Sequence, residues 1–219
     1  MDEYFDVLVT CPLFLGIDTE QLRALLKCLN AIRRVYTAGE FVFSAGDEVR
    51  SVGVVLDGSV HVLQDNYLGN RTILAQIDAG SIFAEAFTCA EVDSVPVSVM
   101  AAERTTVLLV DYKRIITTCS SSCLFHTSLI QNMMRLLAQK NIRLTQKMEI
   151  VTHRTTRERL LAYLSAQAVQ TGSRLFNVPF NRQQLADFLS VERSAMSAEL
   201  SRMQADGLIR TNRSEFELL

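Results

Sequence analysis

The chain has 219 residues, 48% hydrophobic and 21% charged, with a formal net charge of −2. That length and composition suit two modest cores and exclude a disordered polymer, and the near-neutral charge excludes a whole-protein electrostatic field for nucleic acid, so any basic surface has to be local. No apolar run approaches the roughly 20 residues that span a bilayer. Met1-Asp2-Glu3-Tyr4-Phe5-Asp6 has no basic stretch leading into an apolar one, and five scattered cysteines (Cys11, Cys28, Cys89, Cys119, Cys123) do not resemble a secreted disulfide framework. The chain reads as cytoplasmic, with reduced thiols and no membrane partner.

Asp18 is a helix N-cap before Leu22, Leu25, Leu26 and Leu29, which recur at helical spacing. The period then changes. Phe41 to Phe43, Val52 to Leu56, Val60 to Leu63, Thr72 to Ile77, Val97 to Met100 and Thr106 to Val110 are short β-branched or aromatic runs, divided by Ala38-Gly39, Ala45-Gly46, Asp57-Gly58 and Ala79-Gly80. Such recurrence predicts an antiparallel sandwich or roll, with Asp57-Gly58 as its clearest hairpin turn.

From about Ser121 to Val151 neither Pro nor Gly interrupts a helical pattern. Cys123, Thr127, Ile130, Met134, Leu137, Asn141, Leu144, Met148 and Val151 follow at alternating spacings of four and three, the seam of a coiled coil. The expected dimer interface is Ile130, Met134, Leu137, Asn141, Leu144 and Met148, with Asn141 at an a position where one buried Asn favours a parallel dimer in fixed register. Leu129, Met133 and Leu136 mark a second apolar face that would pack on the helix's own domain. The two readings are compatible.

Thr152-His153-Arg154-Thr155-Thr156 is a polar hinge before a second amphipathic helix (Leu160, Leu161, Leu164, Ala168) that Gly172 ends. Leu175 to Val178 reads as a short strand. Asn181 with Gln184 three residues on opens a helix through Leu185, Ala186, Phe188 and Leu189. Ser190-Val191-Glu192 then turns into a helix from Arg193 to Asp206 with an apolar stripe of Met196, Leu200 and Met203, and Gly207 precedes a small hairpin. Helix, turn, helix, hairpin predicts a winged helix-turn-helix, whose second helix offers its first side chains to the DNA major groove. Arg193 stands at that start, placed to read guanine or to clamp a phosphate. Ser194 and Ser197 are short donors on the same side, and Arg182 and Arg202 are phosphate contacts or surface charges.

The stretches Gly80-Ser81-Ile82-Phe83-Ala84-Glu85-Ala86 and Asn181-Arg182-Gln183-Gln184-Leu185-Ala186-Asp187-Phe188-Leu189, in this order of parts, resemble the Crp/Fnr family of bacterial regulators. The resemblance spans nearly the whole chain, from Cys11-Pro12-Leu13-Phe14 to the C-terminal hairpin. It implies an α+β architecture: an N-terminal antiparallel β-roll (a cupin-like jelly roll) as effector-sensing domain over residues 1–120, a dimerisation helix over 121–151 and a winged helix-turn-helix over 152–219. It also implies a homodimer on double-stranded, palindromic DNA near promoters, with RNA polymerase as a further candidate partner.

In the cyclic-AMP-binding members a Glu after the glycine of the β-roll stretch holds the ribose hydroxyl, and an Arg slightly further on holds the cyclic phosphate. Glu85 matches the first. Ungapped alignment of Ala101 to Val107 puts Val95 at the second, and a phosphate buried there without a countercharge costs several kcal/mol, so cyclic AMP is not the expected effector. Leu144 and Thr145 stand where those members offer a Thr and a Ser to adenine. The expected pocket is Phe83, Glu85, Ala86 and Phe87 with Lys140, Leu144 and Thr145, for an unidentified uncharged or carboxylate-type small molecule, or for none.

Iron–sulfur members use clustered cysteines, whereas Cys11 and Cys28 lie far apart. Cys119 and Cys123, four apart, leave open a redox- or metal-responsive alternative beside a pair of small buried thiols. His61, His126 and His153 read as surface or packed imidazoles and not haem ligands. His61 is the only histidine of the β region, so no catalysis is expected, and no catalytic residue, metal site or cofactor is assigned. Many members carry a Glu and an Arg where this chain has Ser194 and Ala198, so their target sequence does not transfer.

Overall fold

Val52 to Leu56 is an unbroken apolar run, and such a run folds as a strand only when both faces of its sheet are covered. In the computed structural model, which describes residues 2–65, 71–117 and 124–219, both faces are covered. The described residues fall into two units, Met1–Gln139 and Lys140–Leu219.

The first unit begins with α1 (Phe5–Thr10), a 3₁₀ turn (Pro12–Phe14) and α2 (Thr19–Cys28). Asp18 caps α2 as expected, in a capping box with Gln21. The strands are β1 (Ile32–Tyr36), β2 (Phe41–Phe43), β3 (Ser51–Asp57), β4 (Ser59–Asp65), β5 (Arg71–Asp78), β6 (Ile82–Phe83), β7 (Ser98–Ala101) and β8 (Thr105–Asp111). They form two antiparallel sheets of order β1-β8-β3-β6 and β2-β7-β4-β5. Short helices α3 (Glu85–Cys89) and α4 (Tyr112–Ile116) complete the roll.

Val55, Phe83 and Val107 of one sheet meet Val60, Val99 and Ala101 of the other in the core between the sheets. On the opposite face of the first sheet, Val52, Val54, Leu56, Leu108 and Val110 pack against Leu8, Leu22, Leu25, Leu129 and Met133 from the helices. Strand β3 is therefore buried on both sides, which is why its sequence does not alternate.

The expected hairpin at Asp57-Gly58 is corrected by the pairing. Strand β3 pairs with β6 and β8, while β4 pairs with β5 and β7, so the glycine sits at a corner where the chain leaves one sheet for the other. A one-residue link cannot make a two-residue hairpin. Gly58 takes φ +75, and a Cβ there would lie 2.7 Å from the Arg104 carbonyl oxygen.

Helix α5 (Leu124–Thr152) runs 29 residues and ends one residue beyond the expected stop. Cys119 and Cys123 lie outside the described residues. In the second unit, α6 (Thr156–Thr171) closes at Gly172 in the left-handed region. Strand β9 (Leu175–Asn177), α7 (Arg182–Leu189), α8 (Arg193–Ala205), β10 (Ile209–Asn212) and β11 (Glu215–Leu218) follow. The last strands make a three-stranded sheet of order β10-β11-β9, so the predicted short strand joins the wing. Its core gathers Ile150, Leu160, Leu164, Leu185, Met196 and Phe216.

A Cβ at Gly53 would lie 2.1 Å from Cζ of Phe83, so the ring lies directly on the β3 backbone. Gly53→Ala is expected to cost about 1–3 kcal/mol through overpacking. Thermal denaturation checks this: the midpoint should fall, and Phe83→Leu in the same chain should recover part of the loss.

Candidate nucleic-acid interface and sensor site

Asn181 caps α7 in the expected box with Gln184, their reciprocal bonds both measuring 2.9 Å. Ser190 ends α7 at φ +55, a conformation rare outside glycine that swings the chain into the turn before α8. Arg193 is the first residue of α8; its side chain is exposed and makes no hydrogen bond or ion pair among the described residues.

Glu192, unremarked in the sequence, caps α8. Its carboxylate accepts the Ala195 backbone N–H at 2.9 Å and the Ser194 hydroxyl, and these bonds hold it below the usual carboxylate range. Glutamate is not among the preferred N-cap residues, so the pattern gave no signal. Ser194 is thereby engaged with the cap, and Ser197 Oγ donates to the Arg193 carbonyl at 2.9 Å. Arg202 is exposed and paired with Glu199 at 3.2 Å.

Residues 140–219 hold twelve Lys or Arg against eight Asp or Glu, but much of this charge is used internally. Arg157 bridges α6 to α8 through Glu199 at 2.6 Å and through Asp206. Arg159 donates to three backbone carbonyls. Arg182, expected at the surface, is turned inward: its guanidinium lies 5.0 Å from the Phe216 ring centre and donates to Thr211 Oγ1 at 2.9 Å, and burial lowers its pKa. Its Nη1 is buried without a partner among the described residues. Arg154, Arg174, Arg193 and Arg213 remain exposed. A cleft of about 510 Å³ opens beside Asn181, Arg182 and Arg213, where the start of α7 meets the wing turn.

In the β-roll, Glu85 is buried at the first position of α3, and Ala84 before it takes φ +66. Phe83 belongs to the core between the sheets, Phe87 is half-buried and Ala86 exposed. Val95 is buried, with its backbone tied to the turn at Gly46 and Asp47 by bonds of 2.8 and 3.0 Å. Lys140, Leu144 and Thr145 belong to the second unit and are exposed. A separate cleft of about 200 Å³, missed in the sequence, lies beside Arg50, Thr88, Glu91, Asp93 and Lys113. Cys11 and Cys89 are free thiols, and burial pushes Cys11 up to about 11.

Along α5, Leu129 and Met133 are buried with Asn132, which donates to the Leu13 and Leu15 carbonyls at 3.2 and 2.8 Å. Met134, Leu144 and Met148 of the heptad seam are 66%, 62% and 64% exposed, and Asn141 is exposed with them. Ile130 and Leu137 are half-buried, Leu137 against the chain's own core.

Residues 33–122 match the family model of the cyclic nucleotide-binding domain, and residues 158–219 match that of the Crp-like helix-turn-helix domain. The chain belongs to the Crp/Fnr family. It is a Crp-like transcriptional regulator with a cyclic-nucleotide-binding-like domain. Among solved structures it is similar to the Thermus thermophilus catabolite activator protein, at 22% identity over 95% of this chain and 93% of that one (TM-score 0.56). It is also similar to the c-di-GMP responsive global regulator CLP of Xanthomonas campestris, at 18% identity over 90% and 98% (TM-score 0.55). DNR of Pseudomonas aeruginosa matches at 20% over 100% and 95% (TM-score 0.51). No curated protein matches the sequence. No helix among the described residues is long and apolar enough to cross a membrane.

Bonds from Arg157, then from Arg202, hold Glu199 below its ordinary value of 4.5. A carboxylate lowered by folding stabilises above its unfolded pKa and loses that contribution as pH falls through the folded one. Calorimetry between pH 6 and pH 3 should therefore show the midpoint of residues 140–219 dropping below about pH 4.5, with a shallower drop in Glu199→Gln.

Proposed function

We propose that the protein acts as a homodimer on palindromic DNA under the control of a small-molecule effector other than cyclic AMP. The observation that carries this is Arg193, a fully available guanidinium at the exposed first turn of the second helix of a helix-turn-helix. Glu192 beside it is committed to capping the helix, so Arg193 is the donor fork at the helix start, suited to guanine.

The dimer reading rests on Met134, Leu144 and Met148, whose apolar side chains are left largely exposed among the described residues. Two-fold symmetry in the protein would match inverted half-sites about one helical turn apart. For the effector, Val95 offers buried hydrocarbon where a phosphate would need a cation. The same fold serves one regulator described as a catabolite activator and another described as c-di-GMP responsive, so fold alone does not select the ligand. Control needs little energy: a tenfold change in DNA affinity corresponds to about 1.4 kcal/mol of differential binding between two conformations.

Selection from a random duplex pool should yield a palindromic site. On that duplex, Arg193→Ala should weaken binding by about 1–3 kcal/mol in gel shifts at fixed salt, and equal affinities would remove Arg193 from the interface. Asn141→Asp should set like charges face to face and move sedimentation toward the monomer, whereas an undisturbed dimer would reject the heptad register.

A further inference from the structure

Arg159 lies in the first turn of α6, its own N–H bonded to the Thr155 carbonyl at 3.1 Å. Its Nε donates to the carbonyl of His153 at 2.8 Å, just beyond the end of α5. Its Nη1 donates to the carbonyls of Leu189 at 3.1 Å and Ser190 at 2.9 Å, the end of α7 and the start of the turn that aims α8. The last carbonyls of a helix lack partners and carry the negative end of its dipole. One cation here serves the ends of two helices while anchored in a third.

We propose that Arg159 is the positioning residue through which the α5–α6 junction sets the direction of recognition helix α8. The idea rests on the DNA-binding reading above. A rotation at His153 must carry the guanidinium with it or break its bond, and the guanidinium holds the turn at Leu189 and Ser190. The planar fork is what permits this, because its N–H groups diverge at fixed angles while a lysine ammonium is a single point. Arg157 cannot substitute: its ion-pair partners are Glu199 and Asp206 of α8 and its end, away from the turn at Leu189 and Ser190.

The test is a double-mutant cycle in the full chain, read by amide exchange at Ser190 and Val191, whose N–H groups bond to Asp187 and Ala186 carbonyls. His153→Gly loosens the junction and leaves every Arg159 acceptor in place. It should speed exchange at the turn by about threefold or more in the wild-type background, and add nothing once Arg159→Lys is present. Additive effects, or a turn indifferent to His153→Gly, would overturn the proposal. If Arg159→Lys fails to fold, Arg159→Gln takes its place in the cycle, because it keeps an N–H donor and loses the fork. The same cycle measured as affinity for the selected duplex should show the same non-additivity. Coupled exchange without any enriched duplex would sink the DNA reading and leave the mechanical link standing.

Discussion

Helix α5 has two apolar faces, and the described residues cover only one. Leu129 and Met133 press onto the outer face of a β-sheet that is already filled from the other side, while Met134, Leu144 and Met148 face water. Exposed methionine and leucine repeated at heptad spacing cost free energy unless something apolar meets them, and a second identical helix satisfies that need with the least new chemistry. In the homodimer proposed above, symmetry would supply paired helix-turn-helix units and inverted half-sites, with a junction at His153 to Thr155 between one helix and the next.

The first unit separates the contacts that hold the fold from those that would meet a ligand. Gly53 and Phe83 lock the centre of the roll, and the corner at Gly58 passes the chain between sheets. On the proposed reading the ligand chemistry turns on Glu85, at the start of a five-residue helix, and on Val95, on a segment held by two backbone bonds. On that reading, a valine where a cation would be needed removes anion binding without touching the sheets.

Most helices and strands were legible because their signals are local. Asp18 with Gln21 and Asn181 with Gln184 bond as their spacing requires, and Gly172 and Gly207 take the positive φ that stops a helix. Thr155 and Glu158 carry the same spacing and form the same box, but Thr155 lies in the segment read as hinge. Asp57-Gly58 misled because a sequence encodes the bend and not the partner: whether the next strand turns back or crosses over depends on residues such as Thr106, nearly fifty positions away. Arg182 was illegible for a related reason. An arginine opening a helix looks the same whether it reaches into solvent or folds over Phe216.

That inward fold changes how the charge of the C-terminal unit should be counted. Arg157, Arg159 and Arg182 are structural members, tied to carboxylates, carbonyls and an aromatic ring. A duplex sheds condensed counterions only for cations that reach its phosphates, each adding about 0.9 to the logarithmic dependence of affinity on salt. Such a protein holds its operator by shape and by a few side chains, and its occupancy should shift less with the ionic strength of the cell than an arginine-rich sequence suggests.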